Sequence, residues 1–214
     1  ISFFTLATTT AVLPAPGGAS ISNLFLLSAF MTRDCSVVHS EICLVRAMPI
    51  LNSVFINDTI SDGLDSDFSE GNVLYSEFLN IGGDALDFSG SNVSINQTKA
   101  SNVKDKAVSA GEESIINIEN SNFSNIGVGV ASKDGSQVNV LNTSFKDVTL
   151  SPAMTYIKKS FYGAPKLVLQ SCDIDANSDL IAQTGTSIVV DGIQIETQDV
   201  NVEKLYQTNV MKNE

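Results

Sequence analysis

Between Phe55 and Ile195 the chain repeats itself with a fixed period in the low twenties. The apolar anchors are Phe55, Phe78, Ala100, Phe123, Phe145, Ile174 and Ile195, at successive intervals of 23, 22, 23, 22, 29 and 21. A short polar side chain follows two positions after most of them, at Asn57, Asn80, Asn102, Asn125 and Asp147. A unit this short cannot bury a core alone, so its copies must stack on one another.

Each repeat contains short alternating stretches, such as Ile116-Asn117-Ile118, Val138-Asn139-Val140 and Leu167-Val168-Leu169. Alternation of apolar and polar residues gives a strand with one buried face. Gly, Ser, Asn and Asp then break the chain, as in Lys133-Asp134-Gly135-Ser136. The gaps between strands are too short for crossover helices. The pattern predicts an all-β fold, a single-stranded right-handed parallel β-helix (solenoid) with a rung of about 22 residues. In register, Asn57, Asn80, Asn102 and Asn125 would form an amide ladder at one corner. The stretch between Val148 and Leu167 carries about seven extra residues and should loop out from one rung. Residues 200–206 read as a last partial rung or a cap.

Composition changes near residue 46. Residues 1–46 are an atypical segment that holds both arginines, the one histidine, Cys35 and Cys43, with no charge before Arg33. Degenerate rungs, a cap, a processed signal remnant and a fragment start are all open for it. A membrane span there is broken by Pro14, Pro16, Gly17 and Gly18. The repeat domain, residues 47–214, carries 22 acids against 10 lysines and so the whole net charge of −12. That charge opposes nucleic acid, which needs a basic patch. Three cysteines are too few for a disulfide scaffold. Cys172 reads as a small buried hydrophobe.

The acidic residues form the main candidate site. Asp62, Asp84 and Asp105 recur at intervals of 22 and 21, Asp65 and Asp87 recur three positions later, and Asp67 joins them. Stacked carboxylates raise one another's pKa or demand a cation. Asp62, Asp65, Asp67, Asp84 and Asp87 are thus candidate Ca²⁺ ligands, and Ca²⁺ is the one cofactor the chain suggests. Asp84 and Asp87, with Lys106 as a base, are the catalytic candidates for work on a glycan. The bland reading is that these aspartates cap turns and Lys106 is solvated. From residue 47 onward there is no Arg and no His to neutralise a uronic acid, which weighs against catalysis. In the insertion, Lys158, Lys159, Phe161 and Tyr162 offer cations and rings. Asp65, Asp87, Lys158, Lys159 and Tyr162 are the candidate ligand-binding set.

The rungs from about Gly82 to Cys172 resemble the β-helix region beside spore-coat CotH-type kinase domains in bacterial surface proteins. The residues that carry the likeness are Gly83-Asp84-Ala85-Leu86-Asp87-Phe88-Ser89-Gly90-Ser91, Asp105-Lys106-Ala107-Val108-Ser109-Ala110-Gly111-Glu112, Ala131-Ser132-Lys133-Asp134-Gly135-Ser136 and Tyr156-Ile157-Lys158-Lys159-Ser160-Phe161-Tyr162-Gly163. More broadly these rungs are similar to the pectate-lyase-like superfamily. The resemblance implies an extracellular or cell-envelope, bacterial setting and attachment to further domains of a longer parent protein. It implies no catalytic residues, since fold does not fix function.

Two functions follow. One is a non-catalytic module of a secreted or cell-surface protein, a rigid scaffold that binds a polysaccharide, a cell-surface glycan or Ca²⁺. The other is a carbohydrate-active enzyme, a lyase, epimerase or hydrolase, that uses the Asp-lined face. A flat face would favour the module, and a cleft beside the aspartates would favour the enzyme.

Overall fold

A computed structural model describes residues 50–176 and 178–211. The expectations for residues 1–46, including Cys35 and Cys43, lie outside the described residues. The coil advances turn by turn. It begins with β1 (Ile50–Asn52), β2 (Phe55–Thr59) and β3 (Leu64–Asp67). The second turn holds β4 (Glu70–Leu74), β5 (Glu77–Ile81) and β6 (Leu86–Ser89). In the next three turns the second and third strands fuse. These turns are β7 (Asn92–Asn96) with β8 (Lys99–Gly111), β9 (Ile115–Glu119) with β10 (Asn122–Lys133), and β11 (Gln137–Leu141) with β12 (Ser144–Tyr156). Then come β13 (Lys166–Gln170), β14 (Asp173–Ile174), β15 (Ile181–Ala182), β16 (Ser187–Val190), β17 (Ile193–Gln194) and the one-turn helix α1 (Val202–Leu205).

Every pairing between turns is parallel. The fold is a β-solenoid of about six turns with three faces. The first face runs β1-β4-β7-β9-β11-β13-β16. The second begins with β2 and β5 and the third with β3 and β6, and β8, β10 and β12 bend through the corner to serve both. At that bend the register shifts between Ile126 and Val128. Gly127 is required there, because a Cβ would come within 2.5 Å of the Lys104 carbonyl oxygen one turn below.

Inside, like positions stack. Val73, Ile95, Ile118, Val140 and Leu169 line the first face. Phe78, Ala100, Phe123, Phe145 and Ile174 line the second, as their spacing predicts. Leu86, Val108, Val130 and Ala153 line the third. Ala100 between two phenylalanines leaves room for both, and Phe123 meets Phe145 edge to face at 5.6 Å.

The two end anchors differ from expectation. Ile56, not Phe55, sits under Phe78, and Phe55 is 52% exposed. The first interval of 23 therefore hides a one-residue slip, which turns every side chain to the other face. At the other end β17 reverses and pairs antiparallel with β16, so Ile195 belongs to a hairpin and not to a further rung. Beyond it residues 200–211 fold over the outside of the third face. Leu205 and Met211 join Val128, Ala131, Met154 and Tyr156 in a second apolar cluster. Residues 200–211 are thus a lateral cap on the third face and not a closure of the last rung's edge. The insertion also loops out as expected: Tyr156 still stacks on Lys133 and Lys166 on Gln137, so the extra residues are confined to 157–165.

The corners are held by side chains. Asn80, Asn102 and Asn125 adopt left-handed backbone conformations, with φ of 55, 54 and 51°, which asparagine tolerates better than most residues. Asn102 donates to Asn80 Oδ1 at 2.9 Å and Asn125 to Asn102 Oδ1 at 2.7 Å. In the slipped first turn Asp58 takes the left-handed position, and Asn80 donates to its Oδ1 at 2.8 Å and to Asn57 at 3.3 Å. A second ladder, not anticipated from the repeat, is buried. Ser91 N–H donates to Ser114 Oγ at 3.0 Å, and Ser114 N–H to Ser136 Oγ at 3.1 Å. A third follows the same logic, with Thr98 N–H donating to Ser121 Oγ at 3.2 Å. Cys172 stands where this last ladder continues and is half-buried, its thiol near the carbonyl oxygens of Gln170 and Val140. Burial pushes that thiol's pKa up. Among the described residues, no helix is long and apolar enough to cross a membrane.

Candidate functional site

The third face carries the acidic residues. Leu64, Leu86 and Val108 point inward, so their neighbours Asp65, Asp87 and Ser109 form an outer row in register, continued by Ala131 and Met154. The predicted juxtaposition of Asp65 and Asp87 is therefore present. It holds the Asp65 carboxyl above the usual range, through burial first and then through the charges of Asp87, Asp67 and Asp62.

The other predicted column needs correction. Positions one period of 22 apart stack here, so Asp62 lies under Asp84 and Asp84 under Lys106, while Asp105 falls one position out. Asp62 Oδ1 accepts the Asp84 N–H at 2.6 Å, and Asp84 Oδ1 accepts the Lys106 N–H at 2.8 Å. Lys106 is not a solvated surface charge. Its side chain is fully buried, with Nζ 3.3 Å from both Asp84 oxygens and 3.0 Å from Asp105 Oδ2. Solenoid stacking buries it, with Val128 of the next turn over it, and local sequence does not show that contact. Among the described residues, no three acidic, His or Cys side chains converge as a metal-ligand set.

The face is not flat. Where it meets the insertion there is a cleft of about 290 Å³. Its carboxylates are Asp62, Asp87, Glu112 and Asp134, and its ammonium groups Lys133, Lys158 and Lys159. Ser89 and Gly111 complete the lining. Of the candidates read from the repeat and the insertion, the cleft brings together Asp62, Asp87, Lys158 and Lys159. Asp65 and Asp67 lie beside it on the same face, and Asp84 and Lys106 are buried away from its lining. Tyr162 is not among the lining residues, and its hydroxyl meets Glu112 instead.

Asp134 builds the far wall. It is nearly buried, and its Oδ1 accepts the N–H groups of both Lys158 and Lys159, at 2.7 and 2.6 Å. Glu112, one period before Asp134, binds the Lys159 ammonium and accepts from the Tyr162 hydroxyl at 3.3 Å. The Lys159 hydrogen bond holds the Glu112 carboxyl below its ordinary pKa and the Lys159 ammonium above its own. Burial, then Glu112, pushes the Tyr162 phenol up. Lys158 places Nζ over the Tyr206 ring at 4.2 Å from its centre, tying the loop to the cap. Phe161 is 79% exposed and its ring sits 4.3 Å from that of Tyr162.

Sequence reasoning missed Glu112, Lys133 and Asp134. Lys133-Asp134-Gly135-Ser136 read as turn chemistry, which it is, with Asp134 at φ 50°. The signal lay in the repeat: Asp134 follows Glu112 by one period, and the insertion opens one period later. No protein-family model, curated protein or solved structure matches this chain.

Proposed function

We propose that this solenoid is a non-catalytic glycan-binding module of a secreted or cell-surface protein, with the cleft between the third face and the 157–165 loop as its sugar site. The observation that carries this reading is the cleft's lining. Acidic, lysine and serine residues line one concavity, and the loop that walls it carries the exposed Phe161 ring. Sugar hydroxyls both donate and accept, so they match such a mixed wall, and sugar faces stack on rings such as Phe161. The resemblance to β-helix regions of bacterial surface proteins supports an envelope setting and a longer parent chain.

The cleft lies beside the aspartates, and on that criterion alone it favours a carbohydrate-active enzyme over a flat-faced module. Of the catalytic candidates only Asp87 reaches its lining, while Asp84 and Lys106 hold each other beneath the surface. The non-catalytic reading is therefore preferred.

The test is a glycan array followed by calorimetry, with and without Ca²⁺. Binding that weakens about tenfold in Phe161→Ala and in Lys159→Ala supports the module, since such a loss matches the usual worth of a stacked ring or charged hydrogen bond. Chain cleavage that is lost in Asp87→Asn would replace it with the enzyme reading. No retained glycan of any class would overturn both.

A further inference from the structure

The buried charge column ends in a contact with chemistry of its own. Lys106 Nζ is equidistant from the two carboxylate oxygens of Asp84, at 3.3 Å, and so faces the carbon between them. Asp105 Oδ2 lies 3.0 Å from the same nitrogen. Asp84 Oδ1 is already held by the Lys106 N–H. Val128 stacks on Lys106 from the next turn and belongs to the apolar cluster under the cap. The three charged residues are each at most 2% exposed.

A buried ion pair stabilises a fold poorly against an apolar replacement. The same burial makes an amine and a carboxylic acid reactive toward each other, because it favours their uncharged forms. Holding the amine against the carboxyl in this way turns an encounter between two groups into a step within one site. We propose that Lys106 and Asp84 condense into an amide that staples two successive coils, with Asp105 as the proton shuttle.

The atoms balance without a cofactor. A proton passes from the Lys106 ammonium to Asp84, leaving a free amine beside a neutral carboxylic acid. The Asp84 carboxyl suits this role: burial raises its pKa to about 7, with Asp105 and Asp87 adding and Lys106 and Lys133 opposing. Nζ attacks Cγ, and the charge that develops on Oδ1 is met by the Lys106 N–H. Asp105 takes a proton from the nitrogen and returns it to Oδ2. The Cγ–Oδ2 bond then breaks, and the products are one amide and one water.

Intact-mass measurement on the purified, denatured full chain tests this. The expected mass is lower than the sequence mass by one water, and a protease digest yields a branched peptide that joins the Asp84 and Lys106 segments. Lys106→Arg keeps the cation but not the nucleophile, and Asp105→Asn keeps both reactants but not the shuttle. Each should fold, by circular dichroism, and show the full mass. Wild-type chain that stays at full mass after long incubation at neutral pH overturns the proposal. So does a mass loss without the branched peptide, which would mark cyclisation at an Asp-Gly pair such as Asp134-Gly135. Cross-linking that persists in folded Asp105→Asn overturns the shuttle.

Discussion

Asn125 hands its side-chain amide to Asn102 at 2.7 Å, one coil away, while both residues sit in left-handed backbone conformations. One residue type thus meets two demands, a bent corner and a bond between turns. Asn102→Ala removes the ladder bonds and places a Cβ without a polar partner at φ 54°. It should lower unfolding free energy by roughly 2 kcal/mol, about half of it from each source. Asn102→Gly keeps the backbone and loses only the bonds, so its urea midpoint should fall between those of wild type and Asn102→Ala. Equal midpoints for the two variants would refute the backbone share.

Phe123 is fully buried against Phe145, whereas Phe55 looks outward. Phe123→Ala should cost about 3–5 kcal/mol. Phe55→Ala should stay within roughly 0.5 kcal/mol. Chemical denaturation of both variants checks the one-residue slip in the first turn. A large loss at Phe55 would place it back in the core.

The buried serine ladder makes a different demand. Ser114 Oγ accepts the Ser91 N–H and donates toward the Gly111 carbonyl oxygen at 2.6 Å. Ser114→Ala strands a buried N–H, at a cost of about 1–3 kcal/mol. The exposed Ser94→Ala on the first face should be silent in the same thermal melts.

Asp65 gives a pH dependence with a definite sign. Its folded pKa stands above the ordinary 3.8, so the folded state holds this proton more tightly than the unfolded chain does. The stabilisation is therefore present at low pH and lost as pH rises through the folded pKa. At neutral pH the native face carries the repulsion. Asp65→Asn should raise Tm at pH near 7, and its advantage should vanish at pH of about 3, where the wild-type carboxyl is protonated. A Tm difference independent of pH would disprove the charge origin.

Glu112 behaves oppositely. Its folded pKa lies below the ordinary 4.5, so its hold on Lys159 and Tyr162 is lost as pH falls through the folded value. The Tyr162 ring resonances should shift in that acid range, and Glu112→Gln should abolish the transition.

The repeat made most of the fold legible, since a fixed period forces like residues over like ones. Phe78, Phe123 and Phe145 stack as their spacing requires, and the amide ladder appears at Asn80, Asn102 and Asn125. Legibility failed where one residue entered or left a turn. The slip at Phe55 and the shift that puts Lys106 rather than Asp105 over Asp84 each move a side chain to another face, and spacing counted by anchors averages over such steps. The cleft was half legible. Asp62 and Asp87 lie on the repeating face, but its other wall is a loop whose position is set by Asp134, and no period encodes that bond.

The reversal of β17 reaches beyond the single molecule. A stack of parallel strands is a template that a second chain can extend without limit, in the manner of a fibril. At this end of the first face a newcomer meets a two-residue strand running against the others. On that face the coil cannot be continued in its own direction and register, so a second copy could not extend it as a further parallel turn.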